Sequence, residues 1–195
     1  QIRYIKDKGA VFIPSKENSE VIKTFNNYKK KVSDGDIRDY WLKLLYIDGY
    51  ASIFQSLEGP DRPKKRKVLF KNMEYPGEVI LSKTLKSEYC GEITGDSHFR
   101  IVFLSDPEKI DPTRLSDVRI AVCVPSDMSY ALKDRIREYY AISKMKDEYF
   151  RSDQKSDDDK EWIKNKEKDL MVNIIREQRS VYRDGQVITR QVLPI

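Results

Sequence analysis

The sequence predicts an α/β chain, or α+β should its strands prove antiparallel: a central mixed sheet, an N-terminal helical subdomain and a long C-terminal antiparallel helix pair. Three observations predict it. Two apolar runs, Ile101-Val102-Phe103-Leu104 and Ile120-Ala121-Val122-Cys123-Val124, are continuous rather than alternating, which suits strands covered on both faces. Leu132, Ile136, Tyr139, Tyr140, Met145 and Tyr149 fall on one side of a helix of about twenty residues, the mark of a buried helical face. Trp162, Ile163, Leu170, Met171, Ile174, Ile175 and Val181 repeat at coiled-coil-like intervals and supply its partner.

Residues 3–13 read as one strand or two, broken at Gly9 and stopped by Pro14. Ser15 is placed to cap a helix carrying Val21, Ile22, Phe25 and Tyr28. After a turn at Ser33-Asp34-Gly35-Asp36, Asp36 is expected to cap a second helix with Ile37, Tyr40, Trp41, Leu44, Leu45 and Ile47 on a broad apolar stripe. Gly49 interrupts it, and Ile53, Phe54 and Leu57 suggest a further turn before Gly59-Pro60. Residues 67–70 and 78–81 look like short strands about a turn at Pro76-Gly77. Strands follow at 98–104, ended by Asp106-Pro107, and at 118–124, ended by Pro125. Asp127 is expected to cap the first long helix and Ser156-x-x-Asp159 the second. Gly185 stands where a C-cap glycine belongs, ahead of a final strand over 186–193. The boundaries predicted are an N-terminal helical subdomain over 1–60 and an α/β domain over 61–195, with the helical hairpin at about 127–184.

Composition narrows the class of protein. Of 195 residues, 39% are hydrophobic and 35% charged, a polar balance, yet Tyr 12, Phe 7 and Trp 2 supply more buriable rings than a disordered chain carries. No stretch approaches the ~20 apolar residues of a bilayer span, and no apolar run follows a basic start. Two cysteines, Cys90 and Cys123, exclude a disulfide scaffold and a cysteine-rich zinc site. A soluble cytoplasmic protein with no membrane partner is expected. The opening at Gln1 and the apolar close at Leu193-Pro194-Ile195 read as a domain cut from a longer protein.

No catalytic, cofactor or metal site is predicted. Gly91-Glu92-Ile93-Thr94-Gly95 has glycines but lacks the lysine and the following helix of a phosphate loop. Asp106 superficially resembles a Walker B aspartate, but without a Walker A partner it reads as a strand terminator. His98 is the only histidine, so nucleophilic chemistry would have one possible base. Cys123, inside an apolar run, reads as inert core, and Cys90 as the more exposed of the two. Asp157-Asp158-Asp159 lacks the spaced ligands of a calcium loop.

Charge carries the functional signal. Net charge is +5, and the cations cluster early, at Lys29-Lys30-Lys31 and Arg62-Pro63-Lys64-Lys65-Arg66-Lys67. Clustered cations gain affinity for phosphates by releasing counterions. Arg62, Lys64, Lys65, Arg66, Lys67, Lys29, Lys30 and Lys31 are therefore the expected DNA-contacting residues. Pro63-Lys64-Lys65-Arg66-Lys67-Val68 also resembles a nuclear import peptide, which would place the protein in the nucleus, although a strand starting at Val68 would hinder extended binding. Tyr28, Tyr40 and Trp41 lie near basic residues and are candidates for base stacking, but their helical spacing favours core packing.

From about residue 66 to 190 the layout has a strand at 98–104 and an Asp-Pro loop, a strand at 117–124, a helix at 127–149 and a charged helix ending Tyr182-Arg183-Asp184-Gly185-Gln186-Val187-Ile188. That order is similar to an internal region of the large P-loop ATPases of BREX-type phage-exclusion systems. The resemblance implies a non-catalytic segment of a multidomain ATPase that contacts DNA or partner subunits; the family's nucleotide-binding residues have no matching positions here. The expected function is a binding or scaffolding domain of a larger DNA-associated protein. The alternative is a protein–protein module acting through the C-terminal helix pair.

Overall fold

The computed structural model describes residues 2–5, 9–12, 18–46, 54, 57, 59–151 and 156–190. The break expected at Gly9 divides two antiparallel strands, β1 (Ile2–Ile5) and β2 (Gly9–Phe12). Two helices follow, α1 (Asn18–Lys31) and α2 (Asp34–Tyr46). Ser33, rather than Asp36, caps α2: its Oγ accepts from the Asp36 N–H at 3.1 Å, and the Asp36 carboxylate accepts from the Ser33 N–H at 2.9 Å. This is a reciprocal capping box with the acid one turn inside, where it also meets the positive end of the helix dipole.

Five further strands lie side by side in chain order: β3 (Lys64–Phe70), β4 (Met73–Ser82), β5 (Arg100–Leu104), β6 (Ile120–Val124) and β7 (Gln186–Thr189). β4, β5 and β6 run parallel while both edge strands are antiparallel to their neighbours, so the sheet is mixed, as expected. The turn expected at Pro76-Gly77 is not one. β4 runs straight through these residues, and the chain reverses at Lys71-Asn72, where φ is 48° and 63°. Two consecutive left-handed residues form the tight connection whose twist matches that of the strands it joins. Gly77 serves packing instead. A Cβ there would lie 2.5 Å from the Phe99 ring, so the missing side chain lets that ring lie against the strand.

The connections between parallel strands hold α3 (Ser87–Cys90) and one 3-10 turn (Pro112–Arg114). Both cover the same sheet face, burying Ile80, Val102, Leu104, Ile120 and Val122 against Tyr89, Ile93, Ile110 and Leu115. The opposite face carries the helix pair α4 (Tyr130–Arg151) and α5 (Asp157–Arg183). There α1 and α2 share one core with the pair: Val21, Phe25, Ile37, Trp41 and Leu45 join Ile136, Met145, Tyr149, Ile163 and Ile174. Ser156 caps α5 as expected, accepting from the Asp159 N–H at 3.1 Å. The cap of α4 is Ser129, not Asp127; its Oγ accepts from the Leu132 N–H at 3.0 Å.

Three hydrogen bonds, two of them buried and that of Tyr182 partly so, lock the layers. Trp41 Nε1 donates to the Ser105 carbonyl at 3.0 Å, the Tyr182 hydroxyl to the Leu104 carbonyl at 2.7 Å, and Gln178 Nε2 to the Leu44 carbonyl at 3.1 Å. The expected cap at Ser15, the interruption at Gly49 and the end of the last strand at 191–193 lie outside the described residues. Among the described residues no helix is long and apolar enough to cross a membrane.

Candidate nucleic-acid interface

The second basic cluster begins the edge strand. Lys64, Lys65, Arg66 and Lys67 lie within β3, which pairs along its length with β4, so the run is neither a loop nor a free peptide. Arg62 and Pro63 precede it and are exposed. β5 begins opposite Glu78, so the part of the β3–β4 hairpin distal to that point has no third strand beside it. That part, residues 67–70 paired with 73–76, is the free outer end of the two-stranded β3–β4 ribbon (residues 64–70 paired with 73–79), and is about 10 Å long at the usual rise per residue. Flanking the Lys71-Asn72 turn, its side chains are apolar and in solvent: Val68, Leu69, Phe70 and Met73 are 47%, 69%, 58% and 57% exposed.

Strand alternation sorts the ribbon's side chains by face. Lys64, Arg66, Val68 and Phe70 share one face with their cross-strand partners Val79, Gly77, Tyr75 and Met73. Lys65, Lys67 and Leu69 share the other with Glu78, Pro76 and Glu74. Both acids of the hairpin therefore stand on the second face, together with two of its cations. Lys67 Nζ pairs with Glu74 at 2.6 Å, with both side chains mostly in water. Glu78 is held by Arg100 Nε at 3.0 Å, and Arg100 Nη1 also bonds the Tyr89 and Gly91 carbonyls, fixing the ribbon's base.

The first face carries rings. Phe70 and Tyr75 have centroids 6.5 Å apart, and Tyr75 meets His98 edge-on at 5.6 Å. The His98 backbone N–H donates to the Pro76 carbonyl at 2.7 Å, which anchors the histidine beside the ribbon. The residue is exposed, as a group available to a ligand must be.

The first basic cluster sits elsewhere, in the helix layer. Lys29 Nζ pairs with Asp134 and Glu138, both at 2.9 Å, and so joins α1 to α4. Burial works against the Lys29 ammonium, but the two carboxylates outweigh it and hold its pKa above the ordinary lysine value. Lys30 and Lys31 are exposed, and Lys31 Nζ lies 6.0 Å from the centre of the Tyr28 ring. The rings singled out beside this cluster serve the fold. Trp41 is fully buried, Tyr40 packs edge-on with Tyr140 at 5.0 Å, and the Tyr28 hydroxyl donates to Glu148 at 2.8 Å.

The cysteines exchange their expected environments. Cys90 is buried, because α3 turns it into the core beneath the sheet, whereas Cys123 is half-buried. Burial raises both thiols above their ordinary pKa, which disfavours the thiolate. Asp157, Asp158 and Asp159 form the first turn of α5, where acids complement the helix dipole. Among the described residues no group of three or more His, Cys, Asp or Glu gathers to hold a metal ion.

Comparison of the chain with protein-family models, with curated proteins and with solved structures gave no match.

Proposed function

We propose that this chain is a non-catalytic docking domain that binds nucleic acid electrostatically through the β3–β4 ribbon. The observation that carries this reading is the ribbon itself: cations at Lys64, Lys65, Arg66 and Lys67 on an edge strand, with apolar side chains flanking its turn held out in water. Strand pairing fixes their backbone spacing, so only side chains need ordering at binding, while the Lys67–Glu74 pair, exposed on both sides, is worth little and yields readily to a phosphate. Contacts of this kind position a duplex or strand and read no sequence. The resemblance in layout to internal regions of BREX-type ATPases suits a domain that holds DNA for chemistry done elsewhere in a larger protein.

Affinity for a short DNA measured at 50 and 200 mM salt tests the proposal. With about four phosphate contacts the affinity falls ~100-fold across that interval. Replacing Lys64→Ala and Arg66→Ala together weakens binding at low salt and lowers the salt slope by about two. An affinity indifferent to salt, or to this double substitution, overturns the reading.

A second reading rests on a groove of about 460 Å³ between α4 and α5, lined by Tyr139, Met171, Val172 and Ile175 with Lys146 and Lys164 at its rim. Its apolar floor suits a protein partner such as a neighbouring domain or subunit. The two readings differ in which surface a ligand would perturb.

A further inference from the structure

The ribbon's two faces are not equivalent, and the difference bears on what form of nucleic acid it takes. The face bearing Lys65 and Lys67 also holds Glu74 and Glu78. On the other, the hairpin positions hold Lys64 and Arg66 and the rings of Phe70 and Tyr75, and Tyr75 meets His98 edge-on. Gly77 adds a further ring by letting Phe99 lie against the strand opposite Arg66.

Rings at the surface beside cations, Phe70 exposed and Tyr75 half-buried, are poorly matched to a duplex. A double helix presents phosphates and base edges, and its base faces are already stacked on one another. Unpaired bases offer their π faces, each of which gains by stacking on an aromatic ring while nearby cations hold the phosphates. An ordinary solvent-facing ribbon would carry polar residues at these positions.

We infer that the Phe70–Tyr75 face, with His98 edge-on to Tyr75, is a stacking platform for unpaired bases, so that the preferred ligand is single-stranded nucleic acid. The inference rests on the nucleic-acid reading above and narrows it. Phosphates lie along Lys64 and Arg66, and successive bases stack on Tyr75 and Phe70 toward the tip. Recognition is by stacking and charge, so tolerance of base sequence is expected.

The test uses the whole chain and fluorescence anisotropy at one fixed salt concentration, with labelled oligo-dT, labelled oligo-U and a duplex of equal length. Single strands are expected to bind more tightly than the duplex; comparing oligo-dT with oligo-U tells whether the platform favours DNA or RNA. Phe70→Ala and Tyr75→Ala are each expected to weaken single-strand binding about tenfold or more while leaving duplex binding within about twofold. Tyr75→Phe retains the ring and is expected to retain affinity. Phe70 is more than half exposed, so its replacement leaves the core intact, and circular dichroism checks the fold of each variant. Equal affinity for strand and duplex, with no loss in the alanine variants, overturns the platform while leaving electrostatic docking in place. Failure of every oligonucleotide to bind overturns both.

Discussion

At Gly185 one absent methyl group decides how the helix pair returns to the sheet. The residue follows Asp184, the C-cap of α5, and a Cβ there would collide with the Val124 carbonyl oxygen and crowd Pro125 Cα at 3.1 Å. These are backbone atoms that no rotamer change can move. Gly185→Ala is therefore expected to destabilise the fold by about 1–3 kcal/mol, read as a fall in urea midpoint; an unchanged midpoint contradicts the close approach. The glycine's position is legible in the sequence but its reason is not. The sequence predicts a left-handed cap, whereas the positive-φ glycines among the described residues are Gly59 and Gly95. The environments of Cys90 and Cys123 are hidden for a related reason. Whether each thiol is buried depends on how α3 folds under the sheet, and no local pattern encodes that.

At the scale of elements, Glu138 joins three helices. Its carboxylate meets Lys29 of α1 and Lys166 of α5, each at 2.9 Å, with Asp134 of α4 also on Lys29. Burial raises the Glu138 carboxyl, but the two ammonium groups outweigh it and hold its pKa below the ordinary 4.5. A depressed folded value means the unfolded chain binds the proton more readily. The stabilisation from these pairs is therefore present above about pH 4.5 and lost as pH falls through the lower folded value. Glu138→Gln is expected to cost about 1 kcal/mol at pH 7 and to flatten the acid loss between about pH 5 and 3, measured by urea unfolding. An acid profile identical to that of the parent chain contradicts the assignment.

Helix existence and facing are largely legible, because Ile136, Met145, Tyr149, Ile163 and Ile174 repeat at helical period and bury as that period requires. A cap is legible where a serine stands alone before the acid, as at Ser156. Where Ser33 and Asp36, or Asp127 and Ser129, compete for the role, the backbone geometry chooses the serine. The ribbon is concealed because Pro76-Gly77 has turn chemistry, while Lys71-Asn72 adopts left-handed backbone without a glycine. With the turn at Lys71-Asn72, the alternation of Val68 and Phe70 against Met73 and Tyr75 becomes readable, and with it the aromatic face.

Across the whole molecule, the sheet divides two cores. The connections between parallel strands close one, and four helices close the other. The α/β class and the mixed sheet follow from the continuous apolar runs of β5 and β6. The sharing of a core between α1, α2 and the C-terminal pair follows from long-range packing that residue order does not carry. The basic clusters separate in the same way. Lys29 is drawn into the helix layer by carboxylates more than a hundred positions away, whereas the run in β3 stays at the sheet's edge. A net charge of +5 would attract phosphates anywhere on the surface, but one ribbon is expected to receive them. Backbone amide chemical-shift mapping during titration with a short single strand tests this most directly. The expected shifts concentrate at residues 64–76 and at His98 and Phe99. Shifts centred instead on the α4–α5 groove around Lys164 and Met171, or spread evenly over the surface, would contradict it.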